Sequence, residues 1–270
     1  LTVVKYLIGK KDEKVGNDIL IELLWPDSSR DRTHNLHTTI YYLRKSLKKI
    51  FRDEELDLIR YSKGLYWFDI PDGCWLDCFA FEAYYKKAVS CSKENEYDKA
   101  IYFLKEAFTL YQGDFLADEL YQDWTFSLRK HYQEIYIDLI TQLSHLLAEY
   151  KKDYHKAVDI CQKGLDIDPY REEIYHDIIR YMVKDNRYIE ASKKYQQYVQ
   201  LLNEELGLKP DPGLREQLFM IEEENPDQES LFDSFVLDND TDGPIICNRD
   251  TFKLIYKLHL RRQQRCQEPF

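Results

Sequence analysis

Three copies of one short pattern constrain this chain more than any other feature. Tyr97-Asp98-Lys99-Ala100, Tyr154-His155-Lys156-Ala157 and Tyr188-Ile189-Glu190-Ala191 share a Tyr-x-x-Ala core. The last two alanines are 34 residues apart, the period of a tetratricopeptide repeat. The first two are 57 apart, one period plus an insertion of 23. Leu104 and Ala107, Cys161 and Gly164, and Tyr195 and Tyr198 follow as the apolar and small positions of a second repeat helix. Pro169, 12 residues after Ala157, falls where such a repeat turns. A small alanine admits the paired helix closely, and its apolar neighbours fill the groove between repeats. Such a stack offers a groove to a peptide or protein segment, or packs that groove against the rest of the chain. Tyr132, Tyr136, Tyr175 and Tyr181 suit either use and read first as core.

A second stretch carries the chemistry. In Arg30 to Ile50, Leu36, Ile40, Leu43 and Leu47 recur at i, i+4, i+7 and i+11, one apolar stripe of an amphipathic helix. The opposite face carries Thr38, Tyr41, Tyr42, Lys45 and Lys48. Between Ser28 and Arg52 there are seven basic residues and one acid, in a chain of net charge −11. Charge alone favours an ordinary solvated face. The neighbouring sequence turns the reading toward nucleic acid.

Ahead of this helix, Leu1 to Ile8 reads as a short apolar helix. Asp18 to Trp25 reads as a second, capped by Asn17 and burying Ile19, Leu20, Leu23 and Leu24. After it, Leu56 to Ile70 changes period, with β-branched and aromatic residues flanking Ser62-Lys63-Gly64, and reads as a β-hairpin. Helix, helix, basic helix and hairpin is the order of a winged helix-turn-helix, in which the third helix enters the major groove. Thr38, Tyr42 and Lys45 are the candidates for base-edge contact. Arg30, Arg32, Lys48, Lys49, Arg60 and Lys63 are the candidates for phosphates, which position without specifying. Tyr41 and Tyr42 are read either in the groove or packed on the wing. His34 and His37, three apart, lack a nearby Cys or acidic cluster, so no metal is expected.

Leu20-Ile21-Glu22-Leu23-Leu24-Trp25-Pro26-Asp27, Asn35-Leu36, Tyr42-Leu43-Arg44-Lys45-Ser46-Leu47 and Gly64-Leu65-Tyr66 resemble the winged helix of the Streptomyces antibiotic regulatory protein family, a fold shared with response-regulator output domains. Gln112-Gly113-Asp114-Phe115-Leu116 with Asp123-Trp124, then Asp168-Pro169-Tyr170, then Glu205-Leu206-Gly207-Leu208-Lys209-Pro210 resemble the helical bacterial transcriptional activator domain of the same family. The resemblance runs from about Leu1 to Glu224. Family members usually carry a small β-sheet before the first helix. None is visible here, and Leu1 opens inside an apolar run, so a segment lost upstream is expected.

The expected fold is mostly α: a truncated winged helix-turn-helix with a β-hairpin wing over residues 1–70, then an α-α tetratricopeptide-like repeat domain over 71–224. Trp75 in the joint Pro71 to Asp77 reads as packing, and a helix is expected from near Phe79. Glu222 to Gly243 holds nine acids and no Lys or Arg, so 225–244 reads as an acidic linker rather than an activating segment. Residues 245–270, with one more helix over Asp250 to Arg265, read as the start of a further domain. They are weakly similar to degenerate diguanylate-cyclase-like domains attached to some family members, without a GGDEF-type motif.

Six scattered cysteines with no CxxC pair read as reduced cytosolic thiols. No apolar run approaches the roughly 20 residues of a membrane span. No Walker loop, GxGxxG, HExxH or GxSxG motif is present, so neither catalysis nor a cofactor is expected. The first 70 residues carry 13 basic and 11 acidic side chains, whereas the rest carries 25 and 38. That split suits one part touching DNA and another touching protein. The expectation is a cytoplasmic regulator that binds double-stranded promoter DNA, as a homodimer on paired half-sites. Its repeats would serve self-association, signal input or contact with RNA polymerase or another protein. The alternative is an interaction adaptor whose winged helix does not bind DNA.

Overall fold

The computed structural model describes residues 1–11, 13–26, 32–53, 55–71, 73–119 and 122–209. It is mostly helical with one small antiparallel sheet. The expected linker at 225–244, the helix over Asp250 to Arg265 and Arg30 all lie outside the described residues.

The first part is a winged helix. Its elements are α1 (Thr2–Gly9), β1 (Val15–Gly16), α2 (Asn17–Leu24), α3 (Arg32–Phe51), β2 (Ile59–Ser62) and β3 (Leu65–Phe68). All six feed one core of Val3, Val4, Tyr6, Leu7, Val15, Leu20, Ile21, Leu36, Ile40, Ile59 and Tyr66. The hairpin β2–β3 pairs Tyr61 with Tyr66 and Ser62 with Leu65. Its two-residue turn, Lys63-Gly64, has both φ angles positive, at 51° and 81°. That is the twist-matched hairpin turn, and glycine takes the second position without a Cβ penalty.

One strand is added to the expected elements of this part, and two expectations are corrected. A strand, β1, pairs with β3 through Val15–Tyr66 and Gly16–Leu65, so the sheet order is β1-β3-β2. Two residues are too few to show a period, which hid the strand. Asn17 is the first residue of α2 rather than its cap, because its N–H still serves the ladder, donating to the Gly64 carbonyl at 3.1 Å. Ile19 is 51% exposed and Ile21 is buried instead. With Leu20 facing the core, Ile19 falls to the outer side of a helix of eight residues.

The second part is a stack of helix pairs: α4 (Asp77–Lys93) with α5 (Tyr97–Leu110), α6 (Asp123–Glu149) with α7 (Tyr154–Leu165), and α8 (Glu172–Lys184) with α9 (Tyr188–Leu201). Each Tyr-x-x-Ala opens the second helix of its pair. Ala100, Leu104 and Ala107 are buried there, as are Ala157, Cys161 and Gly164, and Ala191, Tyr195 and Tyr198. Asn95, Lys152 and Asn186 each stand two residues before the repeat tyrosine and take positive φ, at 59°, 56° and 60°. In two copies the tyrosine hydroxyl donates to that asparagine: Tyr97 to Asn95 Oδ1 at 2.8 Å and Tyr188 to Asn186 Oδ1 at 2.9 Å. Asparagine tolerates the left-handed region better than most side chains, and the bond holds it there.

Tyr132, Tyr136, Tyr175 and Tyr181 are core residues, at 6%, 5%, 6% and 0% exposure. Tyr136 stacks on Tyr111 with ring centres 3.9 Å apart, and Tyr175 on Tyr198 at 4.0 Å. Burial pushes the Tyr136 and Tyr181 hydroxyls up to about 12. Trp75 is 64% exposed, so the packing role expected for it is corrected: the joint leaves its ring outside the core.

The insertion between the first two repeats builds the joint between the parts. It holds a 3₁₀ turn, Ala117–Glu119, and lengthens α6 to 27 residues. The start of α6 packs on α1. Trp124 meets Tyr6 edge-on at 5.2 Å, and a Cβ added to Gly9 would lie 2.7 Å from Leu128 Cδ1. Lys5 bonds to Asp118 and to Glu119 on the turn. The described residues close with a π-helical turn, Leu202–Leu206, ended by Gly207 at φ 64°.

Candidate nucleic-acid interface

The third helix presents two faces set by its sequence. Leu36 and Ile40 are buried, and Leu43 and Leu47 pack against the same core. On the far side Thr38, Tyr41, Tyr42, Lys45 and Lys49 are exposed. Lys48 is half-buried at the edge of this face. Lys48 and Lys49 stand in the last turn, where cations complement the helix dipole. Arg32 is the first residue of α3, and its side chain is outside the description.

Tyr41 and Tyr42 are both 61% exposed. Their rings meet each other edge-on at 5.4 Å instead of packing on the wing. The wing is held to α3 by other side chains. Arg44 donates from Nε (3.0 Å) and Nη2 to the Ile59 carbonyl and ion-pairs with Asp57 at 3.1 Å. Ile59 lies on the outer strand of the sheet, so the guanidinium satisfies a carbonyl that strand pairing leaves open. His37 Nδ1 lies 3.2 Å from the Tyr66 hydroxyl, and its ring meets Tyr61 edge-on. Burial raises the Tyr66 hydroxyl above its ordinary range, which keeps it a neutral hydrogen-bonding group.

Two more of the expected residues lie on the wing. Lys63 sits exposed at the tip of the hairpin turn. Arg60 on β2 is paired with Asp69 at 3.0 Å, with both side chains about half exposed. An exposed pair of that kind is worth only about 0–1 kcal/mol, so exchanging the carboxylate for another anion costs little. Lys14, which was not singled out, lies 4.6 Å over the Trp67 ring beside β3. In the sequence Arg44 counted toward the charge and the family resemblance, with no contact assigned to it. Its wing-holding role depends on a partner 15 residues away, and no local pattern signals it. Among the described residues, no group of three or more His, Cys, Asp or Glu side chains gathers as a metal site. No helix among them is long and apolar enough to cross a membrane.

The bacterial transcriptional activator domain matches residues 76–219, from the end of the joint through the whole repeat stack. The chain belongs to the bacterial transcriptional activator domain family. With a winged helix directly ahead of that domain, this activator-domain protein has the architecture of the Streptomyces antibiotic regulatory proteins. Its fold is similar to that of Mycobacterium tuberculosis EmbR, solved in complex with a low-affinity phosphopeptide. The TM-score is 0.70 at 21% identity, over 82% of this chain and 58% of EmbR, so the chain spans little more than half the length of that relative. The tetratricopeptide-containing C-terminal domain of a Plasmodium falciparum FK506-binding protein matches over 57% of this chain and 95% of its own at 18% identity. Its TM-score of 0.41 is too low to bear on the fold. No curated protein matches the sequence.

Proposed function

We propose that this member of a transcriptional activator family binds double-stranded promoter DNA through the exposed flank of α3, with the wing alongside. The observation that carries the reading is the division of α3 itself. One stripe is sealed in the core, while Thr38, Tyr42, Lys45 and Lys49 stand on the other side with nothing packed over them among the described residues. In this reading Thr38, Tyr42 and Lys45 face base edges. Lys48, Lys49, Arg60 and Lys63, with Arg30 and Arg32, meet phosphates. Residues 1–70 form the DNA-binding domain and 71–224 the activator domain. The latter serves self-association, signal input or contact with RNA polymerase, and the protein works in the cytoplasm as a regulator rather than an enzyme.

Salt dependence tests this directly. Binding of the full chain to duplex DNA should weaken steeply with salt, because lysines and arginines on phosphates release condensed counterions. Lys49→Ala should lower affinity uniformly across sequences and flatten the log-log slope by about 1. A slope near zero for every duplex would instead favour an interaction adaptor with a winged helix that leaves DNA alone.

A further inference from the structure

The reading flank has a composition that narrows the DNA it fits. Asn35, Thr38 and Tyr42 follow at i, i+3 and i+7, so they form one stripe along the first half of α3. All three are exposed. In helix-turn-helix proteins the N-terminal residues of the reading helix are the ones that reach base edges. We propose that this stripe reads A·T pairs in the major groove, Asn35 selecting adenine and Thr38 with Tyr42 contacting thymine methyl groups. The inference rests on the DNA-binding reading above and adds the sequence class to it.

Each residue supplies the matching chemistry. An asparagine amide offers one donor and one acceptor side by side, which pairs with adenine N6 and N7. The Asn35 amide makes no hydrogen bond to the described residues, so it is not already committed. A threonine methyl and an aromatic ring edge are apolar contacts for the thymine C5-methyl group. Tyr42 is held by its edge-on contact with Tyr41, which fixes a two-ring apolar surface beside Thr38.

The one arginine of α3 whose side chain is described is drawn elsewhere. Guanine is read best by an arginine fork on O6 and N7. The arginine in the middle of α3, Arg44, is turned to the wing and holds the Ile59 carbonyl and Asp57. Lys45 and Lys49 lie in the C-terminal half of the helix, about four to five turns from its start. There Lys49 serves as a point charge for the sugar-phosphate backbone, and Lys45 lacks the planar fork that guanine takes.

The test is selection of bound duplexes from a random pool by the full chain, followed by binding to the selected site with thymine replaced by uracil. Uracil lacks only the methyl group. The expected site has A·T pairs at adjacent positions, and removing one contacted methyl weakens the parent about fourfold, the worth of one buried carbon. Thr38→Ser should bind the thymine and uracil duplexes alike at that position. Asn35→Ala should lose about tenfold or more of the preference for adenine at a single position. Both side chains are exposed, and circular dichroism should show both variants folded. Selection of G·C pairs, or equal binding of thymine and uracil duplexes by the parent with salt-dependent binding intact, overturns this inference alone. Absence of salt-dependent binding to any duplex overturns the DNA reading and this inference with it.

Discussion

Helix α3 of the winged helix and helix α8 of the repeat stack bury themselves very differently. In α3, 20 residues long, Leu36 and Ile40 are the side chains sealed from solvent among those described. In α8, 13 residues long, Ile174, Tyr175, Ile178, Ile179, Tyr181 and Met182 are all sealed. The reason is what each helix touches. α8 is packed by α7 and α9 and also touches α6, whereas α3 is packed from the side of α2 and the sheet. A helix covered from several sides has its residues chosen by fit. A helix covered on one side has most of its surface free for chemistry. Stability should therefore be concentrated in the stack, and substitutions on the outer flank of α3 should change function while leaving the fold alone.

The largest expected effect tests the sealed side. Leu143 in α6 is fully buried, and Leu143→Ala should cost about 2–5 kcal/mol by lost transfer energy and the cavity left behind. Denaturant titration measures it, and a cost as small as that of a surface change would break the contrast. Next comes overpacking. A Cβ on Gly164 would lie 2.5 Å from Ile174 Cδ1 and 3.3 Å from Ile140 Cγ2, so Gly164→Val should cost about 1–3 kcal/mol. A neutral result would mean that α6, α7 and α8 have slack which these distances deny.

Smaller again is the cap of α7. The Asp153 side chain accepts from the Lys156 N–H at 3.2 Å, and Asp153→Ala should cost about 1 kcal/mol. A bond from Lys156 Nζ at 2.6 Å, more than any other influence, holds the Asp153 carboxyl below the usual carboxylate range. A native pKa below the unfolded one gives stabilisation that is complete above the unfolded value. It is lost as pH falls through the native value. The penalty for Asp153→Ala should therefore shrink in acid, which unfolding measured across that range will show or refute.

Smallest of all is the flank. Lys45→Ala should shift stability by no more than about 0.5 kcal/mol, because the side chain is exposed and makes no packed contact. The same substitution should weaken DNA binding. If Lys45→Ala unfolds the winged helix, that face of α3 is structural and the contrast with α8 disappears.

Much of the repeat stack was readable from residue order. Ala100, Ala157 and Ala191 mark close helix approach within a local period, so spacing alone places them. The left-handed turns were readable too. Asn95 and Asn186 precede their tyrosines by the same two residues, a signal that extends Tyr-x-x-Ala by two positions. In the winged helix the stripe of α3 and the Lys63-Gly64 turn follow from helical period and turn chemistry. The exposed candidates Thr38, Tyr42, Lys45 and Lys49 follow from the helical period, and Lys63 from the turn. Their action on DNA is the part left to experiment.

What depends on distant partners was not readable. β1 exists because β3 offers it a register, and two residues carry no pattern of their own. Arg44 holds the wing through a backbone carbonyl, a group every residue has. Trp75 is left out in solvent, and Trp124, in the insertion between the first two repeats, packs instead against Tyr6 more than a hundred residues earlier. Residue order settles elements whose stabilising contacts lie within a turn or a repeat. The folded chain settles which faces meet, since each such contact needs two surfaces and one stretch of sequence displays only its own.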